Sequence, residues 1–467
     1  MKMRIEEAKW EDGQIVVRTT GAEFTFLRKE MPGKVRCLQR VGCSTLRANV
    51  SFCDVSFEFL ELQHHDEDKV VLHLSSTSAG FVRIEINADS TMIVYSVLAG
   101  LQLFACEGNW QPEYTVHEDG NVLLLDSYGG VGFFWELARG ASNLLINDGG
   151  WRAVFPVDRF HEFYVSVCPP REVDPERSQD VIVHNGLNAD GSDTPYPADA
   201  QIEEFARCGN ILVLHSGIWK GRMERSPGRF QPIEQGIKRL CLNAQWANFR
   251  YEPLSSKEMA RVIHAAHRGG MKVIPYVSPY YSTARVEDFM AELERLLNEY
   301  DFDGFYFDEL FIKNTKDAYH TIRSARKLLG DRLLYVHCSG TSRHLFCPFI
   351  DTYADYFLRG EHYYPFDESF LKFYISGHNT SNSIGHICSY DYPLGYAKKL
   401  IHYCLRHQAR IPIWAENNLN DEHARFLVNH YLPELRLMLN GRYVFDTSLE
   451  PLAVYERSKN VIAGMNE

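Results

Sequence analysis

No stretch of 18 apolar residues occurs anywhere in the 467-residue chain, which excludes a transmembrane helix. The 11 cysteines contain no Cys-x-x-Cys pair, so zinc-ribbon and thiol-redox motifs are absent. An odd, scattered set that includes Cys37, Cys106, Cys208, Cys338 and Cys404 predicts reduced, buried thiols. Positive charge is also scarce. With 49 Lys and Arg against 61 Asp and Glu, the net charge is −12 and the isoelectric point near 5.9, which argues against a surface built to neutralise nucleic-acid phosphates. The opening residues, Met1 to Trp10, hold no apolar run of signal-peptide length, and this predicts a cytoplasmic chain with no membrane partner.

What is present is length, an average apolar share and many rings. Domains usually hold roughly 100–200 residues and barrels about 250, so 467 residues predict two folded units. Aromatic residues make up 13% of the chain, more than a core usually needs, and rings exposed in a cleft stack well against sugars.

The composition of local segments divides the chain. From residue 1 to about 168, short runs rich in β-branched and aromatic residues alternate with polar turns, as at 14–19, 69–74, 80–86, 91–95 and 121–125. Recurrent strands with little helical periodicity predict an antiparallel β-sandwich over 1–178. Three prolines in the weakly apolar segment 169–178 mark its exit.

After about residue 190 the pattern becomes strand, loop, helix, repeated. Candidate strands lie at 211–216, around 247–250, and at 272–277, 302–308, 333–337, 352–358, 383–387 and 411–415. Between them, Ser255 with Glu258 three residues on forms a capping box that opens a helix ending at Gly269 and Gly270. Further helices are expected at about 286–300, 315–329, 394–407 and 421–439. Eight such units predict a (β/α)8 barrel over 190–442, with a doubly wound open sheet as the alternative. Residues 443–467 read as a short C-terminal β segment.

In a parallel barrel, catalytic groups come from the C-terminal ends of strands. Those positions hold His215 and Trp219, Tyr280 and Tyr281, Asp308 and Glu309, His337, Glu361 and His362, Asp391, then Trp414 and Glu416. Carboxylates facing one mouth among aromatic rings suit glycosidic bond cleavage, where one acts as acid or base and the other attacks or stabilises an oxocarbenium-like centre. The sharpest segment runs from Asp303 to Leu310. Strand alternation puts Gly304, Tyr306 and Asp308 on one face and Phe305 and Phe307 on the other, toward the helices. A carboxylate at the inner end of such a strand is costly to bury for structure alone, so Asp308 leads the catalytic candidates. Glu309 joins it if the alternation breaks at the strand end, and caps the next helix if it does not. Glu361 stands in a loop where Gly360 permits a tight backbone path, with a salt bridge to Arg359 as its structural alternative. Trp414 and Glu416 suit a sugar ring and a hydroxyl. Asp391, between Tyr390 and Tyr392, and the histidines His215, His337 and His362 complete the substrate-contact candidates with Tyr281, Tyr306 and Trp219.

The Asp-Gly-aromatic-x-x-Asp pattern at Asp303 to Asp308 resembles barrel glycoside hydrolases, in which the acid ending the fourth strand is often the nucleophile. In the α-galactosidase-like and α-glucosidase-like clans the acid/base follows the sixth strand, and by position that implies Glu361. The Asp308-Glu309 pair also resembles the Asp-Glu pair of β-N-acetylhexosaminidases, including bacterial glycosphingolipid β-N-acetylgalactosaminidases that join a β-sandwich to a barrel. There the Asp orients the acetamido group and the Glu gives the proton. Leu310 stands where the chitinase pattern needs an acid, which disfavours that family. The resemblance implies a glycoside hydrolase acting on a carbohydrate substrate by two carboxylates, retaining in outcome, with substrate-assisted hydrolysis through Asp308 and Glu309 as the alternative. It implies no cofactor and no metal. A metal-dependent amidohydrolase would want His-x-His on its first strand, and the 211–216 segment has only His215. A carbohydrate-binding protein that has lost its chemistry is the non-enzymatic alternative.

Overall fold

A computed structural model describes residues 3–27, 33–40, 47–52, 59–75, 81–96, 102–105, 113–118, 121–126, 129–135, 143–147, 150–154, 161–170, 177–185, 196–220, 250–279, 285–308, 310, 315–337, 348–359, 384–387, 404, 409–415 and 422–440. The N-terminal part forms two eight-stranded antiparallel sheets. One begins with the meander Ile5–Glu11, Gln14–Thr19, Ala22–Leu27 and Gly33–Gln39, and the other has Gly129–Trp135, His161–Cys168, Thr91–Ser96 and Phe81–Asn87 at its centre. Period-two positions of the first sheet, such as Ile15, Val17, Phe24, Phe26, Val35 and Cys37, join Val70, Leu72, Val82, Ile84, Phe133 and Val165 of the second in one apolar core.

The second sheet is buried on its other face too. Ile93, Leu123, Leu125, Phe134 and Tyr164 belong to the core of the C-terminal part, which explains the unbroken apolar run Leu123, Leu124, Leu125. Strands covered on both sides lose their alternation.

The C-terminal part is a parallel sheet: β1 (Ile182–Asn185), β2 (Ile211–Leu214), β3 (Lys272–Val277), β4 (Gly304–Asp308), β5 (Leu333–His337), β6 (Tyr356–Arg359), β7 (Ile384–Ile387) and β8 (Ile413–Ala415). Its order is β7-β6-β5-β4-β3-β2-β1-β8, so the last strand returns to pair beside the first, as a barrel requires. The sheet is rolled. His184 of β1 lies 5.1 Å from the Tyr306 ring of β4 and 5.5 Å from Tyr335 of β5, and strands three and four places apart can touch only across a concave inner face.

One expectation is corrected here. The sheet begins at Ile182 rather than after residue 190, because the short run at 181–185 is buried on both sides and shows no alternation against the polar exit segment. β2 pairs directly with β3, Ile211 opposite Lys272; of the strand expected around 247–250 only Arg250, which is in no strand, is among the described residues. Among the described residues the parallel sheet has eight strands, one of them, Ile182–Asn185, not among those expected. The expected helix at 394–407, apart from Cys404, and the segment 443–467 lie outside the described residues.

Helices α1 (Asp199–Cys208), α2 (Ser256–Arg268), α3 (Val286–Glu299), α4 (Thr315–Leu329) and α5 (Pro348–Tyr353) cover the outside. α2 opens with the N-cap half of its expected capping box, Ser255 Oγ accepting from the Glu258 amide at 3.2 Å while the Ser255 amide donates to the Tyr196 hydroxyl at 3.3 Å, and it is followed by Gly270 with φ +77°. A π-turn, Leu427–Tyr431, separates the last two helical segments, Glu422–Phe426 and Leu432–Asn440. None of the described helices is long and apolar enough to cross a membrane.

The two parts meet along α4 and α5. Phe134 packs on Phe349 at 5.0 Å and Tyr164 on Tyr319 at 5.6 Å. At the centre Asp89, on the turn between two sheet strands, accepts from the Tyr319 and Tyr353 hydroxyls and from the Thr91 amide at 2.9 Å, while Arg323 donates to Asn87. Buried polar groups need such partners, so this junction fixes one docking geometry.

Candidate active site

β4 starts where its backbone can least tolerate a side chain. A Cβ at Gly304, φ +154°, would sit 2.0 Å from the Leu333 carbonyl, so glycine lets β4 and β5 close to full pairing from Gly304 opposite Leu333 to Asp308 opposite His337. Asp303, just before, accepts from the Val273 amide at 2.7 Å and His267 Nε2 at 2.9 Å, and so ties β3, β4 and α2 together at the opposite end from Asp308. Phe307 packs against Phe289 of α3, while Tyr306 faces inward, as the alternation requires.

Asp308 is held from both neighbouring strands. Tyr276 of β3 donates its hydroxyl to Oδ2 at 2.5 Å, and His337 of β5 meets Oδ1 through Nδ1 at 2.8 Å. Ser278 Oγ donates to the Asp308 main-chain carbonyl at 2.5 Å, pinning the strand itself. Burial opposes the charge on Asp308, but the His337 hydrogen bond and charge, the Tyr276 hydroxyl and the charge of His215 together hold its carboxyl below the usual carboxylate range. An ionised carboxylate only accepts, so the hydrogen between Asp308 and His337 sits on Nδ1. The Asp308 side chain keeps 14% of its surface exposed, against 5% for His337. It is therefore a partly exposed anion fixed in direction.

Behind it stands a brace. Trp219 donates its indole N–H to the Tyr276 carbonyl at 2.7 Å and meets Tyr251 edge-on, and the Tyr251 hydroxyl accepts from the Ser278 amide at 2.9 Å. Trp219, expected among the substrate contacts, is fully buried and serves as the wall supporting β3. Tyr306, expected there too, is also fully buried and lies beneath the carboxylate among Tyr276, Tyr335 and His215, with the His337 ring 6.2 Å away. Both are too deep to meet a ligand in this structure.

His215 is partly exposed, 4.8 Å from the Tyr276 ring and 6.0 Å from Trp414. Trp414 is partly exposed and stacks on His184 at 4.1 Å. The structure thus brings Asp308, His337, His215 and Trp414 around one end of the rolled sheet. Glu309, Glu361, His362, Tyr281, Asp391 and Glu416 lie outside the described residues. Among the described residues no three His, Cys, Asp or Glu side chains gather to hold a metal ion.

Three members escaped the sequence reading. His184 stands on β1, in the interval between the exit segment at 169–178 and the expected start of the barrel. Tyr276 and Ser278 flank the end of β3, and the signal for Tyr276 was its place at 276 in 272–277, one of the last two positions of the strand.

No protein-family model matches the chain, and no curated protein matches it. Among solved structures it is similar to a Flavobacterium johnsoniae GH31 dextranase complexed with glucose, at 9% identity and a TM-score of 0.36, over 98% of this chain and 72% of that one. It is also similar to an alpha-amylase from Geobacillus thermoleovorans complexed with acarbose, at 10% identity and a TM-score of 0.36, over 60% and 79%. A glycoside hydrolase family 81 protein from Clostridium thermocellum matches at 11% identity and a TM-score of 0.27, over 36% of this chain. This chain spans only 25% of that protein's length.

Proposed function

We propose that the chain is a glycoside hydrolase of retaining type, with Asp308 as its nucleophile. The observation that carries this reading is the fixed, ionised and partly exposed carboxylate of Asp308 at the C-terminal end of β4, bonded by Tyr276 and His337. A nucleophilic carboxylate must be charged and aimed before substrate arrives. In the first step an Asp308 oxygen attacks the anomeric carbon, the bond from that carbon to the leaving oxygen breaks, and an acid protonates the leaving oxygen. Water deprotonated by the same group then attacks the anomeric carbon and releases Asp308. By the resemblance that acid/base is Glu361, with Glu309 as the alternative that would accompany substrate-assisted cleavage. His215 and Trp414 are proposed to line the sugar site, with His362, Tyr281, Asp391 and Glu416 contributed by the surrounding loops.

The test is a panel of aryl glycosides, α- and β-linked, with and without a 2-acetamido group. The native chain is expected to cleave at least one, and Asp308→Asn to lose that activity by about a thousandfold or more with little change in melting temperature. A panel left wholly uncleaved, or equal rates for the two proteins, overturns the proposal.

A further inference from the structure

The hydrogen bond between Asp308 and His337 carries a consequence beyond the identity of the nucleophile. Both residues end neighbouring strands and sit directly opposite in register, so their contact is set by the backbone rather than by a flexible loop. His337 is nearly sheltered from solvent, and its Nδ1 is committed to Oδ1 at 2.8 Å. It therefore does not offer that nitrogen to a sugar hydroxyl, the role first expected of it.

Among the described residues, the other ionisable or polar groups near the carboxylate are Tyr276 and Ser278 from β3, His215 from the end of β2 and Tyr251 behind β3, with Tyr306 below on β4 itself. β6 presents apolar Leu358 opposite His337, and His184 of β1 meets Tyr335 at 3.4 Å. His337 both hydrogen-bonds the carboxylate and can carry a positive charge. Tyr276 donates but is uncharged.

We propose that His337 is a positioning residue that aims the Asp308 carboxylate and sets the acidic limit of the pH range in which the site works. This rests on the reading of Asp308 as the catalytic carboxylate. Burial alone would push Asp308 toward its neutral form, and His337 opposes that. Removing the imidazole leaves the desolvation in place, so the carboxylate takes up its proton at higher pH and the active fraction falls earlier on acidification. Because the two groups interact strongly, the limit belongs to the pair.

The experiment is the pH profile of kcat/KM for the native protein, His337→Asn and His337→Ala, using the aryl glycoside that the native protein cleaves fastest. The acidic limb is expected to move to higher pH by about one unit or more in His337→Ala, a tenfold change in proton affinity. In His337→Asn, which keeps a neutral donor near the place of Nδ1, it should move the same way by less. Coincident limbs in all three proteins overturn the proposal. Should His337→Ala fail to fold, native against His337→Asn decides alone, an upward move supporting and an unmoved limb overturning it. Asp308→Asn, assayed alongside, separates the two claims. An active Asp308→Asn defeats the functional reading, whereas an inactive Asp308→Asn with coincident limbs defeats only the role of His337.

Discussion

In the antiparallel part of the molecule the space between sheets is filled by Phe24, Phe26, Val70, Leu72, Ile84 and Val165, all with 0% of their surface exposed. On the inner face of the rolled parallel sheet the comparable positions are Tyr276, Tyr306, Tyr335 and Tyr356, paired in register across four consecutive strands, with His184 beside them. These too are fully buried. Apolar side chains fill a core with no polar partner to find, whereas each buried phenol and imidazole needs one. Tyr276 finds Asp308, Tyr335 meets His184, and Tyr356 reaches Asp180 at the other end of the sheet. A core that accepts that constraint has its side chains fixed in direction, which is the condition a preorganised site requires.

The comparison can be broken by substitutions on its two sides. Phe24→Ala is expected to lower the stability of the antiparallel part by about 3–5 kcal/mol, as deletion of a buried ring does, while the folded protein keeps its native kcat. Chemical denaturation together with an assay at a temperature where the variant is folded measures both. A loss of kcat in fully folded Phe24→Ala would show that the two parts are not separable in this way. Tyr276→Phe is the smaller and opposite case. It removes one donor to a charged oxygen, which costs at most about 1.5–3 kcal/mol of stability, and by loosening the aim of the carboxylate it should lower kcat/KM about tenfold or more. Unchanged kinetics in that variant would reduce Tyr276 to core packing.

The same contrast explains what could be read from sequence. The N-cap at Ser255 and the helix at Thr315–Leu329 were legible because both are local signals, and the place of Asp308 at the end of an inward-facing strand was legible because that strand keeps a clean alternation between Phe and polar positions. Ile182–Asn185 was not. Four residues buried on both faces carry no periodicity, and His184 went unseen with them. Trp219 was misjudged for a related reason. A Trp just after a strand has the same sequence appearance whether it faces a cleft or donates to a carbonyl of the next strand, and only the return of the chain at Tyr251 to Pro253 decides it. The partnership of Asp89 with Tyr319 and Tyr353 joins positions more than 200 residues apart, beyond any local pattern.

The central claim is that Asp308 forms the bond to the sugar. Its most direct measurement is covalent trapping: incubation with a 2-deoxy-2-fluoroglycosyl fluoride of the sugar and anomer that the panel selects, followed by proteolysis and mass spectrometry of the labelled peptide. The account predicts one glycosyl group per chain, as an ester on Asp308, and no label in Asp308→Asn. A label on Glu309, Glu361 or any other residue, or hydrolysis of the matching substrate with no label at all, would contradict it.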